Sequence, residues 1–210
     1  MDPEPIVLLG AGGHAAACID VLEQHGSFRV AGLIGTAAEV GTRVLGYPVL
    51  GSDEQLAELV TRYHNALVAV GHVRSPEPRV RLFDALVELG YALPVIVSPR
   101  AYVSPHASVG SGTIVMHGAV VNASARVGRN CILNSMSLVE HDAVIGDHCH
   151  VATGAAVNGG VTIGAKTFVG SQSSIREQVQ IGEGCMIGMG CRVSCDCPAG
   201  TRVSGDGAER

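Results

Sequence analysis

The chain has 210 residues, of which 47% are hydrophobic and only 3% aromatic, and its formal net charge at pH 7 is −5. This length suits one or two domains, and the apolar fraction is enough to build their cores. An acidic balance argues against a nucleic-acid-binding surface, and no apolar run approaches the ~18 residues of a membrane span. The amino terminus also lacks the basic and apolar regions of a signal peptide, so we expect a cytoplasmic protein.

A short apolar strand, Ile6–Leu9, runs directly into the glycine-rich segment Gly10–Ala15, and a helical pattern follows it. In such a strand–turn–helix unit the glycines let a phosphate approach the backbone, while the helix amino terminus supplies N–H donors and a positive dipole end. We therefore predict a phosphate cradle, with a βα turn that binds no ligand as the alternative. A second strand end, Leu67–His72, would lie beside this cradle in a parallel sheet.

The remaining elements of the first hundred residues predict a small Rossmann-like domain with about four strands. Its second strand, about residues 29–34, ends in Gly35-Thr36, without the acidic residue that holds a ribose in dinucleotide-binding folds. We therefore expect a nucleotide or nucleotide sugar at the cradle, and not NAD. A helix over about residues 78–89 and a strand over residues 94–97 are predicted to complete the domain.

The second half of the chain carries one unbroken pattern, in which every sixth residue is aliphatic. These positions are Val103, Val109, Val115, Val121, Val127, Leu133, Val139, Ile145, Val151, Val157, Ile163, Val169, Ile175, Ile181, Ile187 and Val193. Four positions after almost every one of them stands Ala, Ser, Thr or Cys. A period of six fits neither a helix nor a half-buried strand and is typical of a hexapeptide β-helix.

Three hexapeptides would make one triangular coil, so residues separated by three hexapeptides should stack, in about five coils spaced ~4.8 Å apart. Each coil buries its aliphatic residues only against its neighbours, so both ends of the column need covers. We therefore predict an α/β domain over residues 1–98 and a β-helix domain over residues 99–210. Five of the seven cysteines occupy the small inward position and are predicted to be buried thiols.

Among the nine histidines, His141 stands apart because Glu140 and Asp142 flank it at a position where a coil turns a corner. Its stacking partners, three hexapeptides away on either side, are Ala123 and Gly159, so we expect a hollow beside the imidazole. A neighbouring carboxylate can orient the ring and hold its pKa near neutrality, as general-base catalysis requires. From the residues alone, an exposed corner histidine with acidic neighbours remains the alternative.

The pair His148 and His150, next to Asp147, raises the question of a metal site. Zinc needs three or four converging ligands, and no further histidine or cysteine clearly completes this set. Cys195 and Cys197 are too close in sequence for the usual zinc pairs. We expect no metal.

The glycine-rich segment Gly10–His14, the segment Glu140–Asp147 and the continuous hexapeptides around the latter together resemble the NeuD/PglD-type sugar O- and N-acetyltransferases. The resemblance covers nearly the whole chain and is strongest to the nucleotide-aminosugar N-acetyltransferases. It implies a left-handed β-helix, a homotrimer, acetyl-CoA bound along the column between subunits, and a nucleotide sugar held by the α/β domain. The acceptor that it implies is GDP-perosamine or a UDP-linked 4-amino sugar.

The resemblance also implies roles for single residues. His141 corresponds to the catalytic base and Asp142 to the acidic residue that raises its basicity. The implied nucleotide-sugar contacts are Gly12, Gly13, His14 and Gly71, and the implied acetyl-CoA contacts are His150, Ser171 and Met189.

Three features depart from the family pattern. Many relatives carry acidic residues where this chain has Gly35-Thr36, which leaves the nucleobase open. The tail over residues 203–208 lacks the usual proline. Met136 stands at a position that is commonly small, where it either narrows the acceptor pocket or merely packs.

We predict an enzyme that transfers acetyl from acetyl-CoA to the amine of a nucleotide-linked amino-deoxysugar in a ternary complex, with His141 removing the proton. Two alternatives stay open. One is O-acetylation of a sugar such as sialic acid on the same scaffold. The other is a non-catalytic or metal-binding column like that of γ-carbonic anhydrases, for which the histidines offer no convincing set of three.

Overall fold

The computed structural model describes residues 2–72, 75–205 and 207–208. They form an α/β domain followed by a column of short parallel strands. Within the described residues, no helix is long and apolar enough to cross a membrane. The predicted fold class, a Rossmann-like domain followed by a left-handed β-helix of hexapeptide repeats, is confirmed.

The α/β domain is a five-stranded sheet with helices on its faces. Its elements are β1 (Glu4–Leu9), α1 (Gly13–His25), β2 (Phe28–Gly35), β3 (Arg43–Val44), β4 (Tyr47–Ser52), a 3₁₀ turn (Asp53–Gln55), α2 (Leu56–Leu59), β5 (Asn65–Val68) and α3 (Glu77–Glu88). The strand order is β3-β4-β2-β1-β5, and β2 and β5 both pair with β1 in parallel. The carboxyl ends of β1, β2 and β5 therefore meet at one edge, where the cradle was predicted.

Helix α1 forms because its apolar residues recur at helical spacing. Ala15, Cys18, Ile19 and Leu22 occupy positions i, i+3, i+4 and i+7, and each is at most 1% exposed. Gly26 ends the helix with a φ of 81°, a left-handed conformation that favours glycine. The buried stripe of α1 faces both the sheet and the column.

The column is built from two-residue and three-residue strands in three sheets, which we call the covered face, the second face and the third face. All strands pair in parallel except the last one of the covered face, which is antiparallel. The covered face contains β6 (Ile96–Val97), β9 (Ile114–Val115), β12 (Ile132–Leu133), β15 (His150–Val151), β18 (Phe168–Val169), β21 (Met186–Ile187), β23 (Arg202–Ser204) and β24 (Gly207–Ala208). The second face contains β7 (Tyr102–Val103), β10 (Val120–Val121), β13 (Leu138–Val139), β16 (Ala156–Val157), β19 (Ser174–Ile175) and β22 (Arg192–Val193). The third face contains β8 (Ser108–Val109), β11 (Arg126–Val127), β14 (Val144–Ile145), β17 (Thr162–Ile163) and β20 (Gln180–Ile181).

Pairing in the column follows the predicted stacking distance of three hexapeptides. Val139, for example, pairs with Val121 on one side and Val157 on the other, and all three are fully buried. The aliphatic positions thus form rows inside the prism, as the period of six predicts.

The small inward residues satisfy backbone carbonyls at one corner of the prism. Side-chain donors stack there from coil to coil, each reaching a carbonyl of the next coil. The bonds run from Thr113 to Gly128 (2.9 Å), Cys131 to Gly146 (3.2 Å), Cys149 to Gly164 (3.2 Å), Thr167 to Gly182 (3.0 Å) and Cys185 to Pro198 (3.1 Å). The predicted burial of the five inward cysteines is confirmed.

One strand predicted from the sequence was assigned to the wrong sheet. The strand predicted to complete the α/β domain, observed at Ile96–Val97, instead pairs with β9 and forms the first strand of the column. Val97 lies one hexapeptide before Val103, so it continues the pattern by one more repeat. The sheet of the α/β domain is extended instead by Ala92, which bridges to Asn65.

The α/β domain packs on the covered face and on both corners that border it. Ile114 and Ile132 point outward from this face into the same apolar cluster as α1. At one corner His117 Nε2 lies 2.8 Å from Asp20 Oδ2, and at the other the rings of Phe83 and His148 meet edge to face. We call these two corners the His117 corner and the His148 corner. The third corner, between the second and third faces, is the His141 corner.

We expect the inward rows, and not the outward residues, to determine the stability of the column. Ile181 is 2% exposed, whereas Gln180 on the same strand is exposed. Ile181→Ala should lower the free energy of unfolding by about 2–5 kcal/mol, because it removes buried methyl groups and leaves a cavity. The matched change Gln180→Ala should alter it by less than about 0.5 kcal/mol. Denaturant unfolding measures both, and equal effects would contradict the inward packing.

Candidate active site

His141 lies on the His141 corner with its ring over the next coil. A Cβ built on Gly159 would lie 2.8 Å from both Cε1 and Nε2 of this ring, so only glycine leaves room for the imidazole. The hollow predicted from the stacking is therefore present. It opens into a groove of about 710 Å³ lined by Glu140, His141, Asp142, Asn158, Gly159, Gly160, Glu177 and Gln178.

Asp142 orients the His141 imidazole. Its Oδ2 lies 2.8 Å from His141 Nδ1, and the two side chains are 64% and 65% exposed, so the pair is open to a substrate. With the carboxylate accepting the Nδ1 proton, Nε2 of the neutral ring carries the free lone pair over Gly159. The hydrogen bond to Asp142, helped by the charges of Asp142 and Glu140, raises the pKa of His141 above its ordinary value.

Glu140 fixes the backbone of the same corner. Its Oε2 accepts hydrogen bonds from Asn122 Nδ2 at 2.8 Å and from the backbone N–H of His141 at 3.1 Å. From the sequence, Glu140 was interpreted only as a flanking charge, and Asn122 was missed. The two residues are three hexapeptides apart and so lie on successive coils, which is the signal that could have found the pair.

The predicted cradle residues come together at the edge of the α/β sheet. Gly12, Gly13, His14 and Gly71 all line a cavity of about 870 Å³. A Cβ on Gly12 or Gly13 would meet no atom within 4 Å, so both glycines face open space. Gly12 precedes α1 without a side-chain cap, and the first N–H groups of the helix are left for a ligand.

His14 is a neutral member of this cradle. Burial, together with the positive charges of Arg79 and His150, lowers the pKa of His14 to about 3. Its Nε2 lies 3.6 Å from the sulfur of Cys18, whose pKa burial raises to about 12. His14 therefore offers hydrogen bonds and no positive charge near neutral pH.

A carboxylate does lie at the end of β2, although it comes from beyond the strand. Glu39 Oε2 accepts hydrogen bonds from the backbone N–H and the hydroxyl of Thr36, both at 2.8 Å. Glu39 lines the cavity together with Asp53 and Glu54. This group was missed from the sequence because acidic residues were sought only at Gly35-Thr36.

The three implied acetyl-CoA contacts do not lie beside His141 in the same chain. His150 is on the covered face, 6% exposed, with Nδ1 2.6 Å from the carbonyl of His72. Burial lowers the pKa of His150 to about 4. Ser171 and Met189 lie on the His117 corner, where Met189 is 82% exposed. Their roles remain predictions that need a second chain beside the His141 corner.

The structure also places Met136 and the metal candidate His148. Met136 also lies on the His117 corner, with its sulfur over Gly118 and 69% of its surface exposed, and it does not line the His141 groove of its own chain. His148 lies on its own corner, with Nδ1 3.0 Å from Asn130 Nδ2, and does not converge with His150. No group of three or more His, Cys, Asp or Glu side chains arranged for a metal occurs in the described part of the chain.

Comparison with known proteins agrees with both halves of this architecture. Residues 5–86 match the PglD N-terminal domain, and residues 160–195 match the bacterial transferase hexapeptide (six repeats) family. GDP-perosamine N-acetyltransferase of Escherichia coli O157:H7 is 30% identical over 154 residues, which are 70% of this chain and 67% of that protein.

Solved structures extend the similarity to nearly the whole chain. The acetyltransferase domain of PglB from Neisseria gonorrhoeae FA1090 in complex with acetyl coenzyme A superposes with a TM-score of 0.90 at 30% identity, covering 99% of this chain and 98% of that one. PerB from Caulobacter crescentus in complex with CoA and GDP-perosamine gives 0.88 at 32% identity, covering 94% and 92%. The chain therefore belongs to the family of acetyl-CoA-dependent sugar N-acetyltransferases built from a PglD N-terminal domain and hexapeptide repeats.

The geometry of the His141 corner predicts a titration. The pKa of His141, measured by NMR of its imidazole, should lie above 6.5, because Asp142 accepts its Nδ1 proton. Asp142→Asn removes the negative charge and should lower this pKa. His106→Ala, a change at an exposed histidine two coils away, is the control and should leave it unchanged. An unchanged pKa in Asp142→Asn would contradict the pairing.

Proposed function

We propose that this protein transfers the acetyl group of acetyl-CoA to the amino group of a nucleotide-linked amino-deoxysugar, with GDP-perosamine or a UDP-linked 4-amino sugar as the acceptor. The observation that carries the proposal is the His141–Asp142 pair, whose free Nε2 faces an open groove over Gly159. The family membership supports acetyl-CoA as the donor, and the cradle supports an acceptor that carries phosphate.

In the proposed reaction His141 acts as general base. The sugar nitrogen attacks the thioester carbonyl of acetyl-CoA while His141 Nε2 takes up one of its protons. The carboxylate of Asp142 stabilises the resulting imidazolium. Collapse of the tetrahedral intermediate breaks the C–S bond, and the thiolate of CoA receives the proton. Holding both substrates together can contribute ~7–11 kcal/mol in favourable cases, so no covalent enzyme intermediate is required.

The charge of the groove favours an amine over a hydroxyl acceptor. Glu140, Asp142 and Glu177 line it, and no lysine or arginine is among its described lining residues. An amino sugar that arrives as an ammonium ion is attracted by these carboxylates, loses one proton to solvent, and attacks as the free amine while His141 takes up the second proton. A hydroxyl acceptor would gain nothing from them. The acidic groove therefore supports N-acetylation over the O-acetylation that the sequence left open.

Two copies of the chain are needed to complete the proposed site. The α/β domain occupies the covered face and both corners that border it, whereas His141 is on the opposite corner. Cradle and base of one chain therefore lie on different sides of the prism. We propose a homotrimer in which His141 of one subunit faces the cradle of the next, with acetyl-CoA between the columns.

The surface beside His141 suits such an assembly. An apolar stripe runs along the second face from the 54% exposed Tyr102 through Val120 and Leu138 to Ala156. Apolar stripes of this kind mark contacts between proteins. In the proposed trimer His150, Ser171 and Met189 belong to the side that receives the neighbour's His141, which accounts for their distance from it within one chain.

The experiment that tests the proposed function is the steady-state kinetics of His141 and Asp142 variants with acetyl-CoA and nucleotide-linked amino sugars. His141→Ala should lower kcat by about 10²–10⁴-fold, with the dissociation constants of both substrates unchanged. Activity requires the neutral imidazole, so kcat should fall as the pH drops through the raised pKa of His141. Asp142→Asn should move this acid limb to lower pH and reduce kcat less than His141→Ala does.

The matched control is His106→Ala, which should retain wild-type kinetics. Full activity of His141→Ala at neutral pH, with product formation verified, would remove His141 from the mechanism.

A further inference from the structure

Arg79 on α3 carries a buried positive charge that no carboxylate of the described residues neutralises. It is 1% exposed and forms no ion pair with any described residue. Its Nη1 donates to the carbonyls of Val68 (2.6 Å) and Val70 (3.0 Å), and its Nε donates to the carbonyl of Asn130 (3.1 Å). Its Nη2 has no partner among the described residues.

A buried charge of this kind is costly if its only task is to join two domains. Carbonyl oxygens compensate a guanidinium only in part, and buried charges in proteins are ordinarily paired with an opposite charge. The neighbouring imidazoles do not help, because burial and the charge of Arg79 lower the pKa values of both His14 and His72. The uncompensated charge therefore points to an anionic ligand that binds near Arg79.

The position of Arg79 identifies where this anion would bind. Val70, whose carbonyl Arg79 holds, lines the cradle and is followed by Gly71. His14 at the amino end of α1 lies close enough for the charge of Arg79 to lower its pKa. Arg79 thus lies directly behind the wall of the cradle that meets the first turn of α1.

A phosphate in the cradle needs the positive charge of Arg79, because the other charged groups that line the cavity do not favour an anion. Glu39, Asp53 and Glu54 make the far side of the cavity acidic. Arg81 is the only cation among the described lining residues, and its Nη2 lies 3.0 Å from Asp53 Oδ2. His14 is neutral, so the positive potential at the glycines comes from the α1 terminus and from Arg79.

We propose that Arg79 is a positioning residue for the diphosphate of the nucleotide sugar. Its buried charge holds the anion at Gly12 and Gly13, and its hydrogen bonds fix the Val68–Val70 segment to the column at Asn130. The proposal rests on the proposed function, since it assumes a nucleoside diphosphate group in the cradle. It assigns to Arg79 a role in substrate affinity that the sequence did not suggest.

The test compares Arg79→Met, which removes the charge at similar volume, with Arg79→Lys, which keeps it. GDP and UDP are titrated calorimetrically into each full-length protein, and the melting temperature is measured without ligand. Arg79→Met should weaken binding of the diphosphate that the wild type binds by about tenfold or more. It should also lower the unliganded melting temperature, because the carbonyls of Val68, Val70 and Asn130 lose their donor. Arg79→Lys should bind within about threefold of the wild type, and acetyl-CoA affinity should be unchanged in both.

His117→Ala serves as the structural control, because it also breaks a contact between the two domains, that with Asp20. This variant should lower the melting temperature without changing diphosphate affinity. If Arg79→Met behaves in the same way, Arg79 is only structural and the proposal is overturned. Should Arg79→Met fail to fold, Arg79→Lys decides alone, and a loss of about tenfold or more in affinity overturns the proposal. A wild type that binds neither diphosphate would overturn the cradle itself, and the role of Arg79 with it.

Discussion

The stacking of branched aliphatic side chains from coil to coil, three hexapeptides apart, is the constraint on which the rest of this structure depends. A narrow prism accepts one branched and one small residue per hexapeptide, and the remaining positions point outward or turn the corners. Corner residues repeatedly adopt left-handed backbone conformations, as Asp142 does with a φ of 60°. The same repeat that builds the core therefore presents polar side chains at fixed places on a rigid surface.

The candidate active site makes use of this regularity. The coil after His141 contributes Gly159 beneath the ring, and the coil before it contributes Asn122, which holds Glu140. Residues of both neighbouring coils therefore support the corner on which Asp142 orients the ring, so the ring lies on the stack and not on a flexible loop. The α/β domain covers the face opposite to this corner, which keeps the groove open and separates it from the cradle of the same chain.

The sequence predicted the column well because its period has few physical explanations. It misplaced Ile96–Val97, since an apolar pair of this length fits the end of an α/β domain as well as the first coil of a column. It also missed the β3–β4 hairpin, whose turn at Leu45-Gly46 adopts positive φ values without the usual Asn-Gly signal.

Motifs identified His141, Asp142 and the glycines of the cradle, but residues that act through tertiary contacts escaped. Glu39 returns to the end of β2 through a turn, and Arg79, on a helix later in the chain, holds the carbonyl of Val70 in the wall of the cradle. Arg79 did leave one signal. It occupies the apolar stripe of α3 with Leu82, Phe83 and Leu86, at spacing i, i+3, i+4 and i+7. A charged residue in such a stripe is unexpected in a helix whose other stripe residues are buried and apolar.

Completion of each site by two copies of the chain is the central claim, and subunit complementation tests it most directly. Gly13→Val, whose side chain would enter the open space of the cradle, and His141→Ala are each expected to give inactive proteins. When differently tagged copies of the two variants are co-expressed in equal amounts and the mixed trimers are purified, about one third of their sites should combine an intact cradle with an intact His141 from different subunits. Activity should recover in that proportion, and mixed oligomers as inactive as either variant alone would contradict the shared site.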